Sequence, residues 1–121
     1  MPASGTDTIL VVDDDVSVRR LTTRMLQQHG FCVIEAECGT DGLERFSEHH
    51  NNVDLVLSDV MMPKMSGTEM VEQILTINPS VRVLMMTGFA VEAMLPKAVP
   101  IVSKPFTSDA LVQSVKACLA A

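Results

Sequence analysis

Three carboxylates, one hydroxyl and one ammonium lie at the ends of apolar runs in this 121-residue chain. In chain order they are Asp13, Asp14, Asp59, Thr87 and Lys104. If the apolar runs are strands of a parallel sheet, all of them end at the same edge, and these side chains meet in one shallow cleft. The sequence therefore predicts a single site assembled from distant parts of the chain.

Three carboxylates in one cleft favour a bound cation. Two carboxylates about 4 Å apart repel each other by roughly 4 kcal/mol at an effective dielectric constant near 20. An all-oxygen site with few protein ligands and room for water suits Mg²⁺. With Mg²⁺ bound, a carboxylate oxygen can attack a phosphoryl group, and Lys104 and Thr87 can contact the phosphoryl oxygens. Asp59 is the expected nucleophile, because it stands apart at a strand-loop junction while the pair Asp13 and Asp14 holds the metal.

The elements that must position these residues alternate between strand and helix. Apolar, β-branched runs predict strands over 8–12, 31–36, 54–58, 81–86 and 101–103. Helical periodicity predicts helices over 16–29, 40–50 and 107–120, and a capping box at Ser66 and Glu69 opens another. The predicted fold is α/β, a flavodoxin-like doubly wound five-stranded parallel sheet with strand order 2-1-3-4-5. Its fourth helix, over 90–95, is expected to be shortened, because Pro96 interrupts it.

Composition excludes several classes of protein. A net charge of -6 with nine scattered Lys and Arg residues argues against direct nucleic-acid binding. No run approaches the roughly 18 apolar residues that span a bilayer, so no membrane contact is expected. Three cysteines without metal-ligand spacing indicate reduced thiols and a cytoplasmic location. We expect residues 1–7 to form a flexible leader and residues 8–121 to form one domain.

Four segments of the chain resemble, in order, the motifs of the receiver domains of two-component response regulators. They are Val11-Val12-Asp13-Asp14-Asp15, the segment from Leu57-Ser58-Asp59 to Ser66-Gly67, Met86-Thr87-Gly88, and Ser103-Lys104-Pro105-Phe106. The resemblance runs from about Thr8 to the C-terminus. It implies a bacterial phosphorylation-dependent signalling switch.

The resemblance also implies a role for each site residue. Asp59 would be the phosphoacceptor and would receive its phosphoryl group from a phosphohistidine of a sensor histidine kinase or histidine phosphotransfer domain. Asp14 would bind Mg²⁺ directly and Asp13 largely through water. The backbone carbonyl of Met61 and Asp59 itself would complete the protein ligands.

Thr87 and Lys104 would form the phosphoryl-sensing pair, and the peptide bond between Lys104 and Pro105 would be cis. Hydrolysis in the same site would remove the phosphoryl group. Such a domain assists its own phosphorylation and dephosphorylation and is not a turnover enzyme.

The chain departs from the family pattern in two places. Many members have an aromatic residue three positions before the lysine, where this chain has Ile101. The segment between Thr87 and Lys104 is shorter by about a helical turn than in many receivers. Receivers attached to hybrid sensor kinases often look like this, so the kinase domain could belong to the same polypeptide.

Two rival functions are compatible with parts of the sequence. Asp13, Asp15 and Ser17 resemble the first motif of haloacid-dehalogenase-type phosphatases, with Asp13 as nucleophile and Asp15 as general acid. That interpretation leaves no room for a cap domain within 121 residues and lacks an acidic pair near the end of the chain. A flavin-binding module is disfavoured because the chain has no Trp or Tyr to stack on the ring.

Overall fold

The computed structural model describes residues 7–88 and 100–120, in which five strands and four helices are found. In chain order they are β1 (Thr8–Val12), α1 (Val16–Gln28), β2 (Cys32–Ala36), α2 (Gly39–His49), β3 (Leu55–Asp59), α3 (Gly67–Ile77), β4 (Arg82–Thr87), β5 (Ile101–Ser103) and α4 (Ser108–Ala120). The bounds predicted from the sequence agree with these to within one residue at each end. The short helix predicted over 90–95 and residues 1–6 of the predicted leader lie outside the described residues.

The five strands form one parallel sheet in the order β2-β1-β3-β4-β5. The predicted flavodoxin-like order is therefore confirmed. At the carboxyl edge Val12 lies opposite both Ala36 and Ser58, and Asp59 lies opposite Met86. The ends of β1 and β3 are thus neighbours at the point where the strand order reverses, which is where such sheets bind ligands.

The core lies on both faces of the sheet, because β1 is covered on each side. Ile9 and Val11 pack in a cluster with residues of α1 and α4, whereas Leu10 and Val12 pack in a second cluster with residues of α2 and α3. All four side chains are fully buried. Each such burial contributes about 1.5–3 kcal/mol, so the strand that carries the acidic pair is firmly held.

Side-chain caps fix the starts of α1 and α3. Asp15 caps α1, and its carboxylate accepts hydrogen bonds from the amides of Ser17 at 2.9 Å and Val18 at 3.2 Å. The predicted capping box of α3 is confirmed, with Ser66 and Glu69 each accepting from the other's backbone amide at 3.1 Å. A cap of this kind contributes about 1 kcal/mol.

None of the helices within residues 7–88 and 100–120 is long and apolar enough to cross a membrane.

The loop between β3 and α3 turns sharply and returns close to the strand. Lys64 has a positive φ of 69°, and the Met65 amide donates to the Pro63 carbonyl at 2.7 Å, so the backbone makes a tight three-residue turn. At the start of α3 the Gly67 amide donates to the Val60 carbonyl at 2.9 Å. A Cβ atom built on Gly67 would overlap the carbonyl oxygen of Asp59, so only glycine allows this approach.

Candidate functional site

Three carboxylates meet at the carboxyl edge of the sheet. Asp13, Asp14 and Asp59 each place one oxygen within 4.8 Å of the others. Asp13 is fully buried, Asp14 is exposed, and Asp59 lies between these extremes. The acidic cluster predicted from the strand ends is therefore present, and one side of it opens to solvent.

Lys104 bridges two of these carboxylates. Its ammonium donates to Oδ2 of Asp59 at 3.0 Å and to Oδ2 of Asp13 at 3.2 Å. The remaining oxygens are also held, because Oδ1 of Asp13 accepts from the Asp15 amide at 2.9 Å and Oδ1 of Asp59 accepts from the Met61 amide at 3.3 Å. With one lysine and three aspartates the cluster keeps a formal charge of about -2, and this surplus favours a divalent cation.

The pKa values of Asp13 and Lys104 reflect this environment. Burial raises the pKa of Asp13 above its ordinary value, although the Asp15 amide and the Lys104 charge act in the opposite direction. For Lys104, burial by itself lowers the pKa, but the hydrogen bond and charge of Asp59, with a further contribution from Asp13, outweigh it and raise that pKa. Lys104 is therefore a permanent cation in this site at neutral pH.

Thr87 ends β4 beside the carboxylates, but its hydroxyl is engaged elsewhere. The side chain is buried, and Oγ1 donates to the carbonyl oxygen of Gly88 at 2.8 Å. The Thr87 carbonyl accepts from the Lys104 amide at 2.8 Å, so the backbones of the two predicted sensing residues are joined. Because a hydroxyl has a single proton, it can donate to a group on Asp59 only after this hydrogen bond to Gly88 breaks.

Three further sequence predictions fall in or near the site. The cis peptide bond between Lys104 and Pro105 is confirmed. Met61 follows Asp59 with its amide on the carboxylate and its side chain 64% exposed, while the metal-binding role of its carbonyl stays a prediction. Ile101 is partly buried on β5 opposite Met85, at the position where an aromatic residue was expected in the family.

Sequence reasoning missed Arg19, which contacts the backbone of the site. Helical periodicity puts Val18, Leu21, Met25 and Leu26 on one apolar face of α1 and Arg19 off that face, yet only 12% of the Arg19 side chain is exposed. Its guanidinium donates to the Asp13 carbonyl at 2.9 Å and to Glu35 at 3.0 Å. The available signal was its position, one helical turn after the Asp15 cap.

The oxygen-only donor set fits Mg²⁺. Ligand atoms on opposite sides of this ion lie about 4 Å apart, since each bond is 2.0–2.1 Å long. Carboxylate oxygens already within 4.8 Å of one another need only small shifts to share one ion. Asp59 at the rim of the cluster, beside a fixed ammonium, is suited to receive an anionic electrophile such as a phosphoryl group.

The sequence of the chain also matches proteins of known families. Residues 9–116 match the family model described as the response regulator receiver domain. The chain is 31% identical to the response regulator receiver protein CpdR of Brucella abortus, over 93% of this chain and 97% of that protein. It is 35% identical to the sensor kinase CckA of the same organism, over 96% of this chain but only 13% of that much longer protein.

Among solved structures, a chain in the crystal structure of the CheX–CheY–BeF3–Mg²⁺ complex from Borrelia burgdorferi is similar. Its TM-score is 0.82 at 27% identity, over 92% of this chain and 87% of that chain.

Proposed function

The chain belongs to the family of response regulator receiver domains, and on that premise we propose that it is a signalling switch controlled by phosphorylation of Asp59. The family consists of phosphoacceptor signalling domains and not of turnover enzymes. The observation that carries the residue assignment is the position of Asp59, whose carboxylate shares a cluster with Asp13 and Asp14 and lies 3.0 Å from the Lys104 ammonium.

Mg²⁺ is the cofactor in this proposal. The carboxylates of Asp13, Asp14 and Asp59 would hold it together with the backbone carbonyl of Met61, with Asp13 acting largely through water. When bound, the ion supplies positive charge that offsets the charge of the carboxylates and of the incoming phosphoryl oxygens. A similar solved structure is described as a complex with BeF3 and Mg²⁺, which supports this choice of metal.

The phosphoryl transfer uses groups already present in the site. A carboxylate oxygen of Asp59 forms a bond to phosphorus while the bond from phosphorus to the histidine nitrogen breaks, and the electron pair leaves with that nitrogen. Lys104 pairs with a phosphoryl oxygen, and the Thr87 hydroxyl leaves Gly88 to donate to another. Because the acceptor gains about one negative charge, the conformation with the rotated threonine becomes more populated. Water later attacks phosphorus, the bond from phosphorus to the Asp59 oxygen breaks, and inorganic phosphate leaves, which restores the carboxylate.

The phosphodonor is a sensor histidine kinase or a histidine phosphotransfer domain. The match to a sensor kinase over 13% of its length raises the further option that the kinase domain lies in the same polypeptide. A cytoplasmic location is part of the proposal and is favoured by the three free cysteines, because thiols persist in reducing compartments.

An apolar surface next to the site suits docking of that partner. Val16 and Leu21 on α1 are 48% and 52% exposed, which is high for large aliphatic side chains. Beside them lies a cavity of about 370 Å³ lined by Val18, Leu21, Thr22, Lys104, Pro105 and Phe106. Lys104 belongs both to this cavity and to the carboxylate cluster, so a helix seated here would bring its histidine close to Asp59.

Replacing Leu21 with glutamate is expected to slow phosphotransfer from a phosphorylated histidine phosphotransfer domain about tenfold, as loss of one well-packed interface contact does. Labelling by acetyl phosphate should be unchanged, because that donor needs no docking surface. Ile77→Glu is the control, since Ile77 is 41% exposed at the end of α3 remote from Asp59. Equal slowing by both variants, or loss of acetyl phosphate labelling in L21E, would contradict the docking surface.

The test of the proposed function is to locate the phosphoryl group. The protein is incubated with Mg²⁺ and acetyl phosphate, and the acid-labile phosphate is mapped by mass spectrometry of proteolytic peptides. We expect the label on Asp59 and its loss when EDTA removes Mg²⁺. Label on Asp13, or steady hydrolysis of a phosphate ester, would instead support the phosphatase interpretation, which the use of Asp15 as a helix cap disfavours.

A further inference from the structure

The strongest unassigned feature of the molecule is the contact of Arg19 and Glu35 with the first acidic residue. We infer that Arg19 is a positioning residue of the metal site, acting through the backbone of Asp13, and that Glu35 holds the Arg19 guanidinium in place. This inference rests on the proposed Mg²⁺ site. It assigns a function to two residues that touch neither the metal position nor the phosphoacceptor.

Every polar atom of Asp13 has a partner, and Arg19 is the donor that its carbonyl oxygen has among the described residues. The Asp13 amide donates to the Ala36 carbonyl at 3.2 Å, and its two carboxylate oxygens accept from the Asp15 amide at 2.9 Å and from Lys104 at 3.2 Å. The carbonyl oxygen accepts from Nη1 of Arg19 at 2.9 Å. Asp13 is fully buried, so loss of this donor would leave a carbonyl without a partner at the start of the turn that carries Asp14.

The geometry of the guanidinium explains why an arginine performs this role. Nε donates to Oε1 of Glu35 on β2 at 3.0 Å while Nη1 reaches Asp13, so one rigid plane connects β2 to the turn between β1 and α1. A lysine has a single ammonium on a flexible stem and cannot fix two directions in the same way. The turn that presents Asp14 is thereby tied to the edge strand of the sheet.

Glu35 also neutralises the positive charge of the Arg19 guanidinium. An unpaired guanidinium beside the acidic cluster would repel a divalent cation, whereas the ion pair with Glu35 is close to neutral. The ion pair of Arg19 and Glu35 therefore fixes the turn without lowering the negative charge that attracts Mg²⁺. Removal of Glu35 should weaken Mg²⁺ binding in two ways, since the guanidinium becomes both mobile and uncompensated.

The experiment is a calorimetric titration with Mg²⁺ alone of the intact chain and its variants. We expect Arg19→Met to weaken Mg²⁺ binding about 10–100-fold, as loss of an outer-shell partner does, with Glu35→Gln also weaker than wild type. Because Glu35 acts through Arg19, the double variant should bind about as weakly as Arg19→Met, and Arg19→Lys should recover only part of the loss. Arg45→Met is the control, because Arg45 lines the same polar cavity as Arg19 but pairs with Asp41 on its own helix.

A readout without metal separates positioning from general stability. Hydrogen exchange of the Asp15 amide, which donates to Asp13, should accelerate in Arg19→Met and Glu35→Gln relative to amides of α3 in the same protein. If Arg19→Met fails to fold, Glu35→Gln carries the same comparison. Mg²⁺ affinity of Arg19→Met or Glu35→Gln equal to that of Arg45→Met would overturn the inference, whereas failure of the wild-type chain to bind Mg²⁺ would overturn the proposed function itself.

Discussion

Asparagine at position 59 is expected to abolish phosphorylation by acetyl phosphate, while the protein stays folded. The amide is not nucleophilic, so no acyl phosphate forms, and it also removes one negative charge from the proposed Mg²⁺ site. The fold should persist because the amide oxygen can still accept from the Met61 amide, and Lys104 keeps its contact with Asp13. Phosphate incorporation is measured by mass spectrometry of the intact protein, and folding is measured by circular dichroism.

Asp109→Asn is the matched control for this variant. Asp109 is an exposed residue in the first turn of α4 and lies outside the carboxylate cluster, so the same chemical exchange should leave incorporation unchanged. Incorporation into Asp59→Asn at the wild-type level would contradict the assignment of Asp59. A second acceptor would then have to lie among the other carboxylates of the site.

Alanine at position 67 is expected to cause the largest loss of stability of any single-methyl change in the site. Its Cβ would overlap the carbonyl oxygen of Asp59 and would also crowd Met85, so backbone must move at the end of β3. Overpacking against backbone costs about 3 kcal/mol, which for a chain of this length lowers the melting temperature by roughly 12 °C. Because the displaced oxygen belongs to Asp59, phosphorylation should also fall at temperatures where the variant is folded.

Gly88→Ala provides the comparison for Gly67→Ala. It adds the same methyl group at the end of β4, where no atom of the described residues, apart from the immediate chain neighbours, lies within 4 Å of the new Cβ. Its melting temperature should stay near that of the wild type, as measured by the same thermal denaturation. Equal melting temperatures for the two variants would show that the loop after Asp59 moves at little cost, and this would contradict the expected loss of stability.

Strand positions and the meeting of the carboxylates could be predicted from the sequence because both depend on local pattern and on sheet direction. Unbroken apolar runs such as 9–12 and 55–57 mark strands covered on both faces, and alternating helices force these strands to run parallel. Once the strands are parallel, polar residues within two positions of the end of each run must lie at the same edge. The cluster of Asp13, Asp14 and Asp59 follows from that rule, and the structure contains it.

Contacts that depend on packing between distant elements could not be predicted in this way. Periodicity places Arg19 off the apolar face of α1, but its side chain reaches back to the turn before its own helix and donates to Asp13 and to Glu35 of β2. The restriction at Gly67 arises from the distance between a helix start and a strand end, which no local pattern encodes. The engagement of the Thr87 hydroxyl by Gly88 is a choice of side-chain rotamer, which sequence does not specify.

Because β1 is buried on both faces, the number of residues in this strand determines where the carboxylates of the site lie. Odd-numbered residues Ile9 and Val11 face one layer of helices and even-numbered residues Leu10 and Val12 face the other. Inserting a single residue within the strand would reverse the directions of the residues that follow it. It would also move Asp13 to the exposed position of Asp14 and leave an apolar residue in the buried position of Asp13. We therefore expect this strand to tolerate exchanges of one apolar residue for another, whereas a residue gained or lost would disrupt the core and the site together.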